Sequence, residues 1–154
     1  SDKYYGIIEL YAQCIYGAPI ALDFVFDKCG RKVIKSELRF DVETFIGGSW
    51  CPIYRSATVS SNVCAVFETA SLYFRLVSDD PGGEMKYEKV RVRFKEGPKS
   101  DAIIVGSLEF EADHFMKAAT LAGIRADLLE GSFVLRSFTN ISRSHQRLEF
   151  AIMR

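Results

Sequence analysis

The sequence has no net charge, no long apolar run and few of the residues that build catalytic or metal sites. Its 20 basic residues balance its 20 acidic residues, which argues against a globally basic nucleic-acid-binding protein. No apolar run reaches the roughly 20 residues that a membrane-spanning helix needs. The chain has only two histidines. These features argue against an enzyme, a metal-binding protein and an integral membrane protein.

The four cysteines do not form a recognisable motif. Cys14, Cys29, Cys51 and Cys64 include no pair with the C-x-x-C spacing of zinc and redox sites. An even number permits two disulfides in a secreted protein. Because Cys14 and Cys64 lie in apolar, strand-like runs, where free cysteine behaves as a small hydrophobic residue, we expect reduced, buried thiols instead.

The composition is that of a globular protein. Of the 154 residues, 48% are hydrophobic and 26% are charged, which separates the chain from disordered proteins. A chain of this length predicts one domain, residues 1–154, that folds without a disulfide or a metal.

Alternating and β-branched patterns predict a chain made mainly of strands. In residues 33–46, apolar and charged side chains alternate, as expected of a half-buried antiparallel strand. Turn-forming glycine and proline separate such runs. The predicted strands are residues 4–16, 20–26, 33–46, 62–67, 71–77, 87–95, 102–110, 131–141 and 148–153.

One segment, residues 111–122, has the pattern of a helix. Phe115, Met116, Ala119 and Ala122 recur at helical spacing, and Gly123 is suited to end the helix. We therefore predict an α+β fold, an antiparallel sheet or sandwich with this one main helix packed on a face. The expected core is Ile34, Leu38, Phe40, Val42, Val90, Val92, Phe94, Phe115, Val134 and Phe138.

No combination of residues indicates catalysis, and we expect no enzyme activity, no cofactor and no metal. His114 with Glu111 could be imagined as a metal site, but a surface histidine explains the pair more simply. Asp79, Asp80 and Glu84 are too few for the six or more oxygens that calcium prefers. A solvated hairpin turn accounts for them better.

The first candidate binding element is a loop around the only tryptophan. Residues 47–54 combine glycines with apolar side chains and carry no charge. An exposed apolar loop of this kind is typical of self-association or membrane contact. The alternative is that the loop folds back onto the core. The residues concerned are Phe45, Ile46, Trp50, Ile53 and Tyr54.

The second candidate is a basic strand. Lys89, Arg91, Arg93 and Lys95 occupy alternate positions and therefore share one face of a regular strand. We expect an exposed basic strip that binds anionic membrane or nucleic acid. The alternative is a solvated face neutralised by Glu37, Asp41 and Glu43 of a neighbouring strand.

The C-terminal third resembles the matrix proteins of rhabdoviruses, particularly the vesiculovirus type. The resemblance starts in the predicted helix at Ala119 and continues through Gly123 and Ile124 to residues 131–137, Gly-Ser-Phe-Val-Leu-Arg-Ser. That family has a helix ending in Ala-x-x-x-Gly and an aliphatic residue, then a spacer about one residue longer than the one here, and then Gly, a small residue, an aromatic, Val-Leu, any residue and Ser. Its lysine-rich tail and proline-tyrosine motif do not occur in this sequence.

The resemblance implies a non-enzymatic viral structural protein of the virion. Such a protein self-associates, binds the anionic inner face of the host membrane from the cytoplasm, and contacts the viral nucleocapsid or RNA during assembly and budding. It has no transmembrane segment and no small-molecule substrate. A small β-rich module that binds a protein or a ligand, such as a host-directed effector or inhibitor, remains the alternative function.

Overall fold

The structure, a computed structural model, is built almost entirely from β-strands. It describes residues 3–15, 23–26, 28–30, 32–35, 37–60, 64–67, 70–77, 89–97, 102–112, 114–115, 120–139 and 145–153. The strands are β1 (Lys3–Ile15), β2 (Asp23–Phe26), β3 (Lys32–Lys35), β4 (Glu37–Ile46), β5 (Ser49–Arg55), β6 (Val59–Ser60), β7 (Cys64–Val66), β8 (Ala70–Val77), β9 (Lys89–Glu96), β10 (Ile103–Glu111), β11 (Arg125–Leu128), β12 (Ser132–Thr139) and β13 (His145–Met153).

Sheet 1 is organised around the long strand β1. Its order is β12-β13-β1-β7, with β8 also paired to β1. Strand β1 is long enough to take both partners on one side, β8 along residues 3–10 and β7 along residues 13–15. On its other side β1 runs parallel to β13. The first and last strands of the chain are therefore central neighbours.

Sheet 2 has the order β11-β10-β9-β4-β5, with β6 also paired to β4, and each of these pairs is antiparallel. Strands β2 and β3 form a separate hairpin. In sheet 2, β4 and β5 are joined directly by Gly47 and Gly48, whose φ angles are 60° and 85°. Two consecutive positive φ angles are typical of the tight turn that matches the twist of a hairpin. The predicted loop at residues 47–54 is therefore mostly strand.

The core lies between the inner faces of the two sheets. Phe40 and Phe94 of sheet 2 meet Phe150 of sheet 1 edge-on, with ring centroids 6.2 and 5.4 Å from that of Phe150. Phe67, which follows β7, packs against both sheet 2 rings. The predicted core is confirmed at Leu38, Phe40, Val42, Val90, Val92, Phe94 and Phe115, all of which are buried.

The core prediction is wrong in β12. Val134 is 37% exposed and Phe138 is 48% exposed, whereas Phe133 and Leu135 pack against the core. The run Phe-Val-Leu is apolar on both faces, so its pattern alone does not indicate which face turns inward. The side chain of Ile34 lies outside the described residues.

The α+β prediction with a main helix at 111–122 is also wrong, because the fold is nearly all β. Glu111 ends β10, where it pairs with Lys89, and no helix is defined within the described residues, in which only Ala112, His114 and Phe115 have helical geometry. Residues 113 and 116–119 are not described. Phe115 is buried, and its ring lies 5.5 Å from that of Phe110. The apolar side chain of Phe115 is therefore explained by its packing against Phe110 of β10.

Gly106 in β10 permits close contact between the sheets. A Cβ atom at this position would lie 2.9 Å from both Leu128 Cδ1 and Phe133 Cζ, and 3.0 Å from Ile152 Cδ1. These atoms belong to β11, β12 and β13, so the missing side chain lets the corner of sheet 2 approach sheet 1. A β-bulge interrupts the register at the same place, between Ile104 and Gly106.

The thiol and membrane predictions are answered in part. Cys51 has a half-buried free thiol and Cys29 is exposed, whereas the expectation of buried thiols was based on Cys14 and Cys64. Cys14 and Cys64 lie in the paired strands β1 and β7, and their side chains are outside the described residues. Within the described ranges, no helix has the length and apolar character needed to cross a membrane.

Candidate functional site

The outer face of sheet 2 is covered with charged side chains, here named the charged face. It is formed by the odd-numbered residues of the acidic strand β4 and the basic strand β9: Arg39, Asp41, Glu43, Lys89, Arg91, Arg93 and Lys95. The register places Glu43 opposite Arg91, Asp41 opposite Arg93, and Arg39 opposite Lys95. Two of these three cross-strand pairs therefore set an acid beside a base.

Two carboxylates hold most of this face together. Arg91 donates a 3.1 Å hydrogen bond from Nη2 to Glu43 Oε2, and Arg93 forms an ion pair with the same carboxylate. Lys95 donates from Nζ to Asp41 Oδ2 at 2.7 Å. Asp41 also lies 3.5 Å from Arg55 Nε of β5. Charge-assisted contacts of this kind are the stronger ones in proteins, and here they connect three adjacent strands.

The prediction of an exposed basic strip is therefore wrong for three of its four members. Arg91, Arg93 and Lys95 do share one face, but their side chains are only 22%, 23% and 17% exposed and are neutralised by β4. Lys89 alone is exposed. The arrangement agrees with the alternative in that Asp41 and Glu43 neutralise the bases, but these side chains are mostly buried and the face is not the solvated one that the alternative described. The role of these four residues in binding membrane or nucleic acid stays a prediction.

The predicted tryptophan loop is replaced by a strand whose side chains separate into two groups. Trp50 is half-buried on the charged face, where its ring meets Phe45 at 5.3 Å and Arg91 Cζ lies 4.2 Å from its centroid. Ile53 and Tyr54 instead pack against the core. Ile46, next to the turn, is half-buried. The five residues do not form one protruding surface, and their role in self-association stays a prediction.

A surface that the sequence did not predict lies along β12. Strand β12 pairs with β13 on one side, and no described strand pairs with its other side. Its outward side chains are Val134, Arg136 and Phe138, here named the β12 edge. A shallow cavity of about 250 Å³ lies beside them, lined by Tyr11, Val134, Arg136, Glu149, Phe150, Ala151 and Met153.

A second cavity of about 310 Å³ lies at the corner of sheet 2 where β9 begins, β10 ends and β11 begins. Its lining combines Phe110 and Phe115 with charged side chains from all three strands. His114 also lines it, next to Gly123. Among the described residues, no group of three potential metal ligands occurs here or elsewhere, so the Glu111 and His114 pair is not extended into a metal site.

The chain matches no protein-family model, no curated protein and no solved structure. The clue to the β12 edge was present in the sequence, since residues 133–135 are apolar on both faces of one strand. A strand of that kind is either covered on both faces or has an apolar surface available to a partner.

Proposed function

We propose that the protein is a non-enzymatic structural protein of the viral matrix type that self-associates through the β12 edge. The observation that carries the proposal is the exposure of Val134 and Phe138 on a strand that has a partner on one side only. The segment that resembles rhabdovirus matrix proteins, residues 131–137, lies largely in this same strand. The corresponding locations are the host cytoplasm, the inner face of the membrane and the virion.

An edge strand favours a second copy as partner because it presents unpaired N–H and C=O groups. Proteins that remain monomeric usually protect such edges with proline, lysine or bulges. Strand β12 contains none of these in residues 132–139, and Arg136 is its only charged residue. By contrast, β5, at the edge of sheet 2, carries Pro52 and a register shift. Of these two edges, β12 is therefore the one suited to pairing.

A two-fold register centred on Arg136 suits the side chains of this edge. In an antiparallel β12–β12 pair, that register sets Phe138 of each copy opposite Val134 of the other, on the same face. Each Phe138 then lies near the shallow cavity that Val134 lines in the other copy. The two Arg136 side chains meet at the centre, and each has Glu149 as its cross-strand neighbour on β13, which offsets their repulsion.

The expected association is weak and depends on concentration. A single pair of eight-residue strands buries less than the roughly 1,200 Å² of a stable, specific interface. We therefore expect a dissociation constant of about micromolar or weaker in solution. An array of matrix type gains its stability from many such contacts made together, because linked weak contacts act at high effective concentration.

The second proposed partner is an anionic surface, either membrane or nucleocapsid RNA. Lys89 supports it as the exposed member of the basic strand, while the other three are paired with acids. Each basic side chain near an anionic membrane contributes about 1 kcal/mol, so one exposed lysine is not sufficient in a monomer. Charge reversal at Arg91 and Arg93 is a poor test, because it would place two carboxylates beside Glu43 and destabilise the fold.

The test of self-association is size-exclusion chromatography with light scattering over a series of protein concentrations. We expect the average mass of the parent to rise with concentration. Replacing Phe138 with aspartate should shift the protein to a monomer, because it places a charge opposite Val134 of the other copy, where an apolar contact is expected. The matched control is Ile104→Asp on sheet 2, because Ile104 is exposed to a similar extent, 44% against 48%.

The proposal fails if the parent stays monomeric at all concentrations, or if Ile104→Asp dissociates the oligomer as effectively as Phe138→Asp. Circular dichroism of both variants establishes that they remain folded. Sedimentation with neutral and anionic vesicles then tests the second partner, with Lys89→Glu as the variant. Binding to anionic vesicles should weaken with added salt, since screening acts within about 8–10 Å at physiological ionic strength.

A further inference from the structure

The cavity at the corner of sheet 2 has the size and the mixed lining of a small-ligand site. Its volume of about 310 Å³ is at the lower end of the range for ligand pockets, roughly 300–1,000 Å³. Ile124 provides accessible apolar surface, and the buried rings of Phe110 and Phe115, 5.5 Å apart, form the floor behind it. The size favours a small molecule over a peptide or a nucleotide.

Four charged side chains line the cavity without neutralising one another. The register places Glu109 opposite Arg125 and Glu111 opposite Lys89, positions whose Cβ atoms are about 4.5–5.5 Å apart in an antiparallel pair. Within the described part of the chain, none of the four takes part in an ion pair. By contrast, Glu43 on the same sheet is neutralised by two arginines, Arg91 and Arg93.

The neighbouring Arg91 explains why Glu109 remains available. Arg91 is the cross-strand neighbour of Glu109 on β9, but its guanidinium is directed to Glu43 and stacked on Trp50. Because Arg91 pairs with Glu43 of β4, it does not neutralise Glu109 of β10. Two carboxylates and two cations remain together at the rim of one cavity.

This mixture of charges selects the class of ligand. An inorganic anion would be attracted by Lys89 and Arg125 but repelled by Glu109 and Glu111, and a metal ion would meet the opposite balance. A molecule that carries one ammonium and one carboxylate satisfies both pairs. We propose that this cavity binds a small zwitterion with an apolar side chain, of the α-amino-acid class. This inference does not depend on self-association through β12.

The ligand class is tested by calorimetric titration of the full chain with L-phenylalanine and L-leucine. We expect both to bind. N-acetyl-L-phenylalanine, which lacks the ammonium, and L-phenylalaninamide, which lacks the carboxylate, should each bind at least about tenfold more weakly than phenylalanine. Inorganic phosphate should also be weaker by that factor. The proposal is overturned if neither amino acid binds, or if a singly charged derivative or phosphate binds equally well.

The site is tested with variants that remove one charge from the lining. Glu109→Gln and Arg125→Gln should each weaken phenylalanine binding by about tenfold or more. The matched controls, Asp127→Asn and Lys28→Gln, remove one negative and one positive charge at exposed side chains outside this cavity and should leave binding unchanged. Equal weakening by the controls would overturn the assignment. Should either variant fail to fold, Lys89→Gln replaces it, because Lys89 lines the cavity with an exposed side chain, and it should weaken phenylalanine binding by the same factor.

Discussion

The contribution of Glu43 to stability is the sharpest prediction from the charged face. Glu43 is 11% exposed at its side chain and binds Arg91 and Arg93, which are 22% and 23% exposed. Replacing it with glutamine keeps the size of the side chain but leaves two partly buried guanidinium groups without their counter-charge. Breaking a fully buried pair costs about 3–5 kcal/mol, and an exposed pair contributes at most about 1 kcal/mol. For this intermediate burial we expect a loss of about 2–4 kcal/mol.

The matched control is Glu149→Gln on sheet 1. Glu149 pairs with Arg147 at 3.1 Å, but the two side chains are 29% and 37% exposed, so its removal should cost about 0–1 kcal/mol. Urea denaturation of both variants gives the two differences through the shift in midpoint. Repeating the melts at high salt should leave the effect of Glu43→Gln largely intact, because partly buried pairs are screened less. Equal losses in the two variants would refute the claim that the charged face stabilises the fold.

Three further predictions concern the core and the aromatic contact on the charged face. Replacing Phe94 with alanine should cost about 3–5 kcal/mol in denaturant melts, and a loss below about 1 kcal/mol would contradict its central place between the sheets. Gly106→Ala should cost about 1–3 kcal/mol, because the new methyl group would overlap the Phe133 ring, whereas an unchanged midpoint would mean that the corner relaxes freely. Trp50→Ala should cost about 1–2 kcal/mol through the loss of its ring and Arg91 contacts and should leave self-association in light scattering unchanged. A monomeric Trp50→Ala would restore the original loop hypothesis.

Much of the strand content was predictable because alternation is a local property. The alternating side chains of β4 identified both its buried face and its charged face, and β9 behaved in the same way. The sequence does not predict strand β5, because Gly47 and Gly48 are typical of a loop as well as of a two-residue hairpin turn. The strand after such a turn has to be recognised from its partner.

The remaining errors depend on contacts between distant segments. The helix predicted at 111–122 was based on the local spacing of apolar residues. That spacing carries no information on the pairing of Glu111 with Lys89 in the sheet. The apolar run in β12 does not show which of its two faces is buried. The structure buries the face opposite to the predicted one, so Val134 and Phe138 lie at the surface. The neutralisation of Arg91, Arg93 and Lys95 required the register between β4 and β9, which joins residues about fifty positions apart. The charge pattern allowed either an exposed basic strip or a strand neutralised by β4, and the register between β4 and β9 distinguishes these two.

Hydrogen exchange of the β12 amides as a function of protein concentration tests the central proposal most directly. If two copies pair along β12, the amides that face away from β13 acquire acceptors in the second copy, and their exchange should slow as the oligomer forms. The amides of β5, at an edge of the other sheet, serve as the internal control and should exchange at the same rate throughout. Protection that rises with concentration in residues 132–139 alone is the predicted result. A β12 exchange rate that stays constant while light scattering reports an oligomer, or protection that appears in β5 instead, would contradict assembly through this edge.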